Sequence, residues 1–203
     1  MSDTRSADDV RRRRGRRLLV FVFAVFFVPL AGAWLWFANI DTWQPDGGTN
    51  NGDLIAPVWP LKAPRLQTVE GESLGGAALE RKWVLVHVVG DSCDERCERN
   101  LYHTRQVRIA LGKDISRVRR LLLVAAPDAL APATAREHPD LIVAFGDDLV
   151  SQIRSATAGM PAQADAIYLV DPLLNLMMRF SPDLDPRLVI KDLKKLLKVS
   201  RIG

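Results

Sequence analysis

The chain's two cysteines, Cys93 and Cys97, stand four positions apart and are the only thiols in its 203 residues. A thiolate attacks disulfides and ligates soft metals such as Cu(I). Residues four apart on a helix share a face, so this spacing predicts two sulfurs aimed at one object. That object is either each other, as a disulfide, or a metal ion, and Cys93 and Cys97 are the candidate catalytic and metal-ligating residues. Two small half-buried neighbours are the plain alternative, but with no other cysteine in the chain, chance placement within one turn is a poor explanation. Asp91, Asp94, Glu95 and Glu98 oppose thiolate formation, while Arg96, Arg99 and a helix N-terminus favour it. His87 reads as a core residue of a strand, His103 faces away from the cysteines, and His138 precedes Pro139 in a loop. No Ser-His-Asp set, zinc spacing or phosphate-cradling glycine loop is present. Asp147 and Asp148 read as a helix cap.

The elements that must position the cysteines are legible around them. Trp83 to Val89 is a β-branched and aromatic run of strand length, closed by Gly90. Ser92 is the expected N-cap of the helix that follows, with Cys97, Leu101, Val107 and Leu111 on its apolar side. Further strands are expected at Arg119 to Ala126, Leu141 to Phe145, Ala166 to Val170 and Leu176 to Phe180. Helices are expected at Asp128 to His138, broken by Pro132, and at Asp147 to Ala158. A last helix opens on Asp185 and Pro186, with Leu188, Leu193, Leu196 and Leu197 inward and its lysines in solvent. Leu66 to Leu74 reads as a short hairpin. Strands apolar on both faces need helices on both sides. The order therefore predicts an α/β domain, a thioredoxin-like mixed sheet flanked by helices.

The N-terminal stretch carries the charge imbalance. Residues 1–17 hold seven arginines against three aspartates, which accounts for the whole net charge of +4. The remaining residues balance at 21 of each sign, so no basic face is left for nucleic acid, and none is expected as a partner. Leu18 to Ile40 is free of charge. As a helix it would span about 34 Å, against a hydrocarbon core of about 30 Å. Trp34, Trp36 and Trp43 gather at its far end, at headgroup level. The reading is a single-pass anchor in a bacterial inner membrane, with the arginines cytoplasmic and the domain periplasmic. A cleavable signal peptide ending at Ala31-Gly-Ala33 is the competing reading, but the apolar run continues past that point. The division is thus 1–17 tail, 18–40 anchor, 41–64 linker and extended strap, and 65–203 domain.

Four features together resemble the SCO/SenC family of cytochrome c oxidase assembly proteins. They are the anchor followed by a proline-containing strap, Lys82-Trp-Val-Leu-Val leading to Cys-x-x-x-Cys, the hairpin Ile167-Tyr-Leu-Val-Asp-Pro, and Phe180-Ser-Pro before the last helix. The resemblance implies a thioredoxin-like fold and service to the copper centre of the oxidase. The implied partner is an oxidase subunit or another assembly factor, and the implied cofactor is copper. The sequence departs from the family at two places. Gln163 occupies the position of the family's copper-ligand histidine, and the prolines that flank the family's cysteines are replaced by Asp94-Glu95-Arg96 and Glu98. Neither does Gln163 supply the cis-proline of thioredoxin-type oxidoreductases; Pro161 lies two residues early. Thiol–disulfide chemistry is therefore expected ahead of copper storage. A general periplasmic thiol-disulfide oxidoreductase and a redox-inert interaction module are the alternatives. In an oxidising compartment the pair is expected as a disulfide. If both residues lie on an ideal helix, the bridge should distort its first turn and reduce more readily than a structural one.

Overall fold

The strands form where the apolar runs lie. In the computed structural model they build one eight-stranded mixed sheet. The described residues are 3–39, 49–62, 64–75, 79–90, 92–183, 185–200 and 202. Ile40, Trp43, the linker up to Gly48, and Asp91 lie outside them.

The chain divides into two units, Met1–Gly48 and Thr49–Gly203. The first holds α1 (Asp3–Ala38). It is the one helix among the described residues long and apolar enough to cross a membrane, over Arg13–Ala38. It continues through the arginine-rich tail and tolerates Pro29 in its interior, as lipid-spanning helices do.

In the second unit, β4 (Trp83–Val88) is the central strand. It runs parallel to β5 (Val118–Leu123) and antiparallel to β7 (Ile167–Val170). Parallel β6 (Leu141–Phe145) continues one side, and the hairpin of β2 (Leu66–Thr68) and β3 (Ser73–Leu74) closes it. Gly71, at φ 91°, makes the hairpin turn, a conformation open to glycine at no steric cost. On the other side, β8 (Asn175–Phe180) pairs with β7 and then with β1 (Asp53–Pro60).

The proline-containing strap is thus an edge strand, which suits residues unable to donate to a ladder. Its start is pinned by Asp192, a buried carboxylate that accepts from the Asn51 backbone and side chain at 2.7 Å and from the Gly52 amide at 3.0 Å.

Alternation along β4 sends Val84 and Val86 to one face and Trp83 and Leu85 to the other. The first face is covered by α4 (Asp147–Ala156) through Leu149 and Ile153. The second is covered by α2 (Glu95–Ala110) and α5 (Pro186–Val199), through Val107 and through Val189, Leu193 and Leu197. Each aliphatic side chain so enclosed contributes about 1.5–3 kcal/mol, so the strand that carries the cysteine loop is held by core on both faces.

Three local expectations are corrected. The α4 cap is Gly146, and Asp147 and Asp148 occupy its first turn without a side-chain cap bond. The helix α3 covers only Pro132–Glu137, because Pro132 starts it instead of breaking it. In α5, Val189 is buried where Leu188 was expected.

Candidate thiol site

The helix α2 begins two residues later than Ser92 would place it. Its N-cap is Asp94, whose Oδ1 accepts from the amides of Arg96 at 3.1 Å and Cys97 at 2.9 Å. A carboxylate competes well for these amides, because the positive end of the helix dipole favours negative charge. Cys93 therefore lies outside the helix, and only Cys97 is in its first turn. The expectation of two cysteines on one helical face is corrected by this cap.

The two sulfurs nevertheless meet as a disulfide, with the Cα atoms 5.2 Å apart. That separation is comfortable for a bridge, and α2 keeps a regular start, so the expected distortion of the first turn does not occur. Cys97 is 4% exposed and Cys93 is half-buried.

Four contacts fix the cysteine loop and the start of its helix. The Cys93 amide donates to the Ala129 carbonyl at 2.7 Å. Thr134 donates its hydroxyl to Glu98 at 2.8 Å. Arg96, between the cysteines, pairs with Asp165 at 3.6 Å, and the Asn100 side chain donates to the Asp165 carbonyl at 3.4 Å. The last two contacts hold the segment before β7 against the cysteine helix. Gln163 lies in that segment, two residues from Asp165.

The histidines behave differently from one another. His87 is buried, and its Nε2 lies 3.1 Å from the Thr104 hydroxyl. Thr104 gives its own proton to the Asn100 or Leu101 carbonyl, so it accepts from His87, whose ring carries its proton on Nε2. Burial, then the neighbouring Arg120 and His138, push the His87 pKa from 6.5 down to about 3. His87 also shares the wall of a cavity of about 10 Å³ with Cys97, Asn100 and Asp165. His138 is buried, with its Nδ1 unpartnered and its pKa lowered, chiefly by burial and then by Arg120. His103 is half-buried beside the Tyr102 ring.

The sequence reading missed the most enclosed cation. Arg120, in the middle of β5, is fully buried. Its Nη1 bonds both oxygens of Asp140 at 3.2 and 3.3 Å, its Nη2 donates to the Leu101 carbonyl at 2.6 Å, and its Nε donates to Thr104 at 3.2 Å. Arg108 pairs with the same Asp140 at 3.4 Å. Burial lowers the Arg120 pKa from its ordinary value, and Asp140 draws it back up. This network ties α2 to the sheet directly behind the disulfide. An arginine inside an apolar strand, with a histidine on the neighbouring strand, was the available signal.

The copper site that the resemblance implies adds an imidazole to the two thiolates, both donor types that suit copper. Among the described residues no group of three or more His, Cys, Asp or Glu side chains is placed to hold a metal. The amide oxygen of Gln163 is a poor substitute, so the residues present do not fit a three-ligand copper site.

A search among curated proteins returns no significant match. Solved structures do match. The apo Sco1 protein of Thermus thermophilus shares 19% identity at a TM-score of 0.58, over 75% of this chain and 100% of that one. Copper-bound yeast Sco1 shares 17% at 0.55, over 70% and 94%. BsSco, a member of the Sco family of cytochrome c oxidase assembly proteins in which a disulfide switch was identified, shares 12% at 0.54, over 71% and 96%. These likenesses establish the fold, and it is the fold that the motifs resembled. Residues 83–200, from the central strand through the cysteine loop to the last helix, match the family model described as a transmembrane-like, thioredoxin-like, C-terminal domain, and the chain belongs to that family.

Proposed function

We propose that this chain is a membrane-anchored accessory protein of respiratory cytochrome c oxidase assembly, acting by thiol–disulfide exchange at Cys93 and Cys97. The observation that carries the reading is the disulfide between its only two cysteines, on the loop between a buried central strand and a helix. The Sco fold and the Sco-like motifs support the choice of the oxidase over an unspecified substrate.

The exchange starts at Cys93, the more exposed of the two residues. A partner thiolate attacks Cys93 Sγ, the Cys93–Cys97 bond breaks, and Cys97 leaves as a thiolate that takes a proton from solvent. A second partner thiol then displaces Cys93, leaving the partner oxidised and this chain reduced, and the reverse sequence oxidises the chain. The Asp94 cap already engages the amides that would otherwise stabilise the leaving thiolate.

The helix α1 serves as the anchor, with the arginine end cytoplasmic and the folded domain periplasmic. An alkaline phosphatase fusion after Asn50 should be active, and a mature protein shortened to begin near Gly32 would instead mean a cleaved leader.

Copper handling, where it occurs, is weak. The reduced wild type should lose Cu(I) to a standard chelator, and Gln163→His should tighten binding by at least tenfold, because imidazole completes the donor set. Competition titration checks this; equal affinity in the two proteins would place the third ligand elsewhere.

A further inference from the structure

Near-equal numbers of opposite charges in the folded unit hide a segregation in space. The helix α5 holds five basic residues and one acid. Four of the five, Arg187, Lys191, Lys194 and Lys198, recur at helical spacing and fall within an arc of about 60°. All four are exposed, and among the described residues their side chains have no hydrogen bond or ion pair. The helix packs inward through Val189, Leu193 and Leu197, on the opposite side. Its one acid, Asp192, is buried and engaged by Asn51 and Gly52. Asp185, at the N-cap, lies beyond the first cation. No acid of the helix therefore offsets the stripe along its length.

A row of exposed lysines is ordinarily a solvated face, but the place where the chain enters the folded unit gives this one an occupant. Lys195, on the flank of the stripe, donates to the Thr49 carbonyl, and Asp192 holds Asn51 and Gly52. The tether is thus attached beside the stripe. Ten residues, 39–48, separate the end of α1 from Thr49, and ten residues reach at most about 36 Å. With α1 as the anchor, a reading on which this inference rests, a tether this short makes any contact with the bilayer intramolecular, so weak attractions add up. Each lysine or arginine held near an anionic membrane surface strengthens binding about fivefold. Val199 and Ile202, exposed at the end of the helix, add apolar side chains that the headgroup boundary accepts.

We infer that the outward stripe of α5 docks on anionic phospholipid headgroups of the membrane that α1 spans. The cysteine helix α2 covers the same sheet face as α5, so docking keeps that helix on the membrane side of the sheet.

The test is lysine acetylation of the oxidised full-length chain in lipid nanodiscs, using a neutral N-hydroxysuccinimide ester and read residue by residue by mass spectrometry. One set of discs is phosphatidylcholine alone, and the other carries about two-fifths phosphatidylglycerol. The arginine tail has no lysine to confuse the reading. Lys62, whose backbone bonds Gln152 of α4 on the other side of the sheet, is the internal reference. Relative to Lys62, the expected result is that Lys191, Lys194 and Lys198 react at least about fivefold slower in the anionic discs than in the neutral ones. The rates should recover in about 1 M salt, where the Debye length is about 3 Å. Lys191→Gln together with Lys194→Gln, both at exposed positions that leave the fold intact, should return Lys198 to within about twofold of its neutral-disc rate. A Lys198 that stays protected in that variant overturns the stripe as the cause. Equal rates in the two lipids, with the chain inserted in both, overturn the docking and leave the anchor standing. Protection that is equal in neutral lipid, or that persists in high salt, overturns the lipid in favour of a protein contact. A chain that enters neither disc overturns the anchor and the docking with it. Thiol exchange at Cys93 and Cys97 stands or falls separately from all of these results.

Discussion

Replacing Arg120 with alanine should destabilise the folded unit by about 3–5 kcal/mol, the range for removing one partner of a buried ion pair. The guanidinium joins three elements at once: β5, which carries it; α2, through the Leu101 carbonyl and Thr104; and the start of β6, through Asp140. Alanine would leave a cavity where the long side chain was and strip Thr104 of one of its two donors. Asp140 would keep Arg108 and is 22% exposed, so water can reach it; this places the loss toward the lower end of the range. Arg120→Met separates volume from charge. It should lose only about 1–2 kcal/mol, because hydrophobic replacement of a buried ion often comes near neutral when volume is kept. Denaturant unfolding should show a lower midpoint at unchanged slope. A loss under about 1 kcal/mol for alanine would mean that the guanidinium is hydrated in solution and not part of the core.

The same network makes the fold sensitive to acid. His87 titrates near pH 3 in the folded chain against an ordinary 6.5, so between those values the unfolded chain binds a proton that the folded chain does not. Stability is therefore complete above pH 6.5 and falls as pH falls, by about 1.4 kcal/mol per unit, until about pH 3. The lowered His138 acts in the same direction. Ring NMR should find His87 neutral, with its proton on Nε2, down to about pH 4. His87→Gln, which can still donate to Thr104, should flatten the pH profile. A His87 that protonates near pH 6 in the folded state would contradict the enclosed network.

The sheet was legible because its strands are apolar runs, and a run such as Leu141 to Phe145 has few other uses. The cysteine loop was legible only in part. Ser92-Cys-Asp-Glu-Arg-Cys offers two caps, and a serine hydroxyl and an aspartate carboxylate are both good ones. Asp94 wins with two amides, and that shift of two residues moves Cys93 off the helix. Arg120 was hidden because Leu121 to Ala126 dominates its strand, and its partner Asp140 is 20 residues away. Gln163 was visible only as a missing ligand; that it lines a cavity together with Arg179 of β8 follows from the fold. Local chemistry is written in neighbours along the chain; the polar assemblies are written in register and crossover, which periodicity does not encode.

Thiol trapping across a glutathione redox series tests the central claim most directly, with the full-length chain and its two single-cysteine variants followed by mass and by melting curve. The account predicts a reversible transition between disulfide and dithiol. It also predicts a glutathione adduct on Cys93 in Cys97→Ser, and at least tenfold less adduct on the buried Cys97 in Cys93→Ser. A loop this short contributes at most about 2 kcal/mol through chain entropy, so reduction should lower the melting temperature by no more than about 8 °C. A pair that stays reduced under oxidant, or that resists reduction throughout, would contradict exchange at this site. A domain that unfolds on reduction would make the bridge a structural staple.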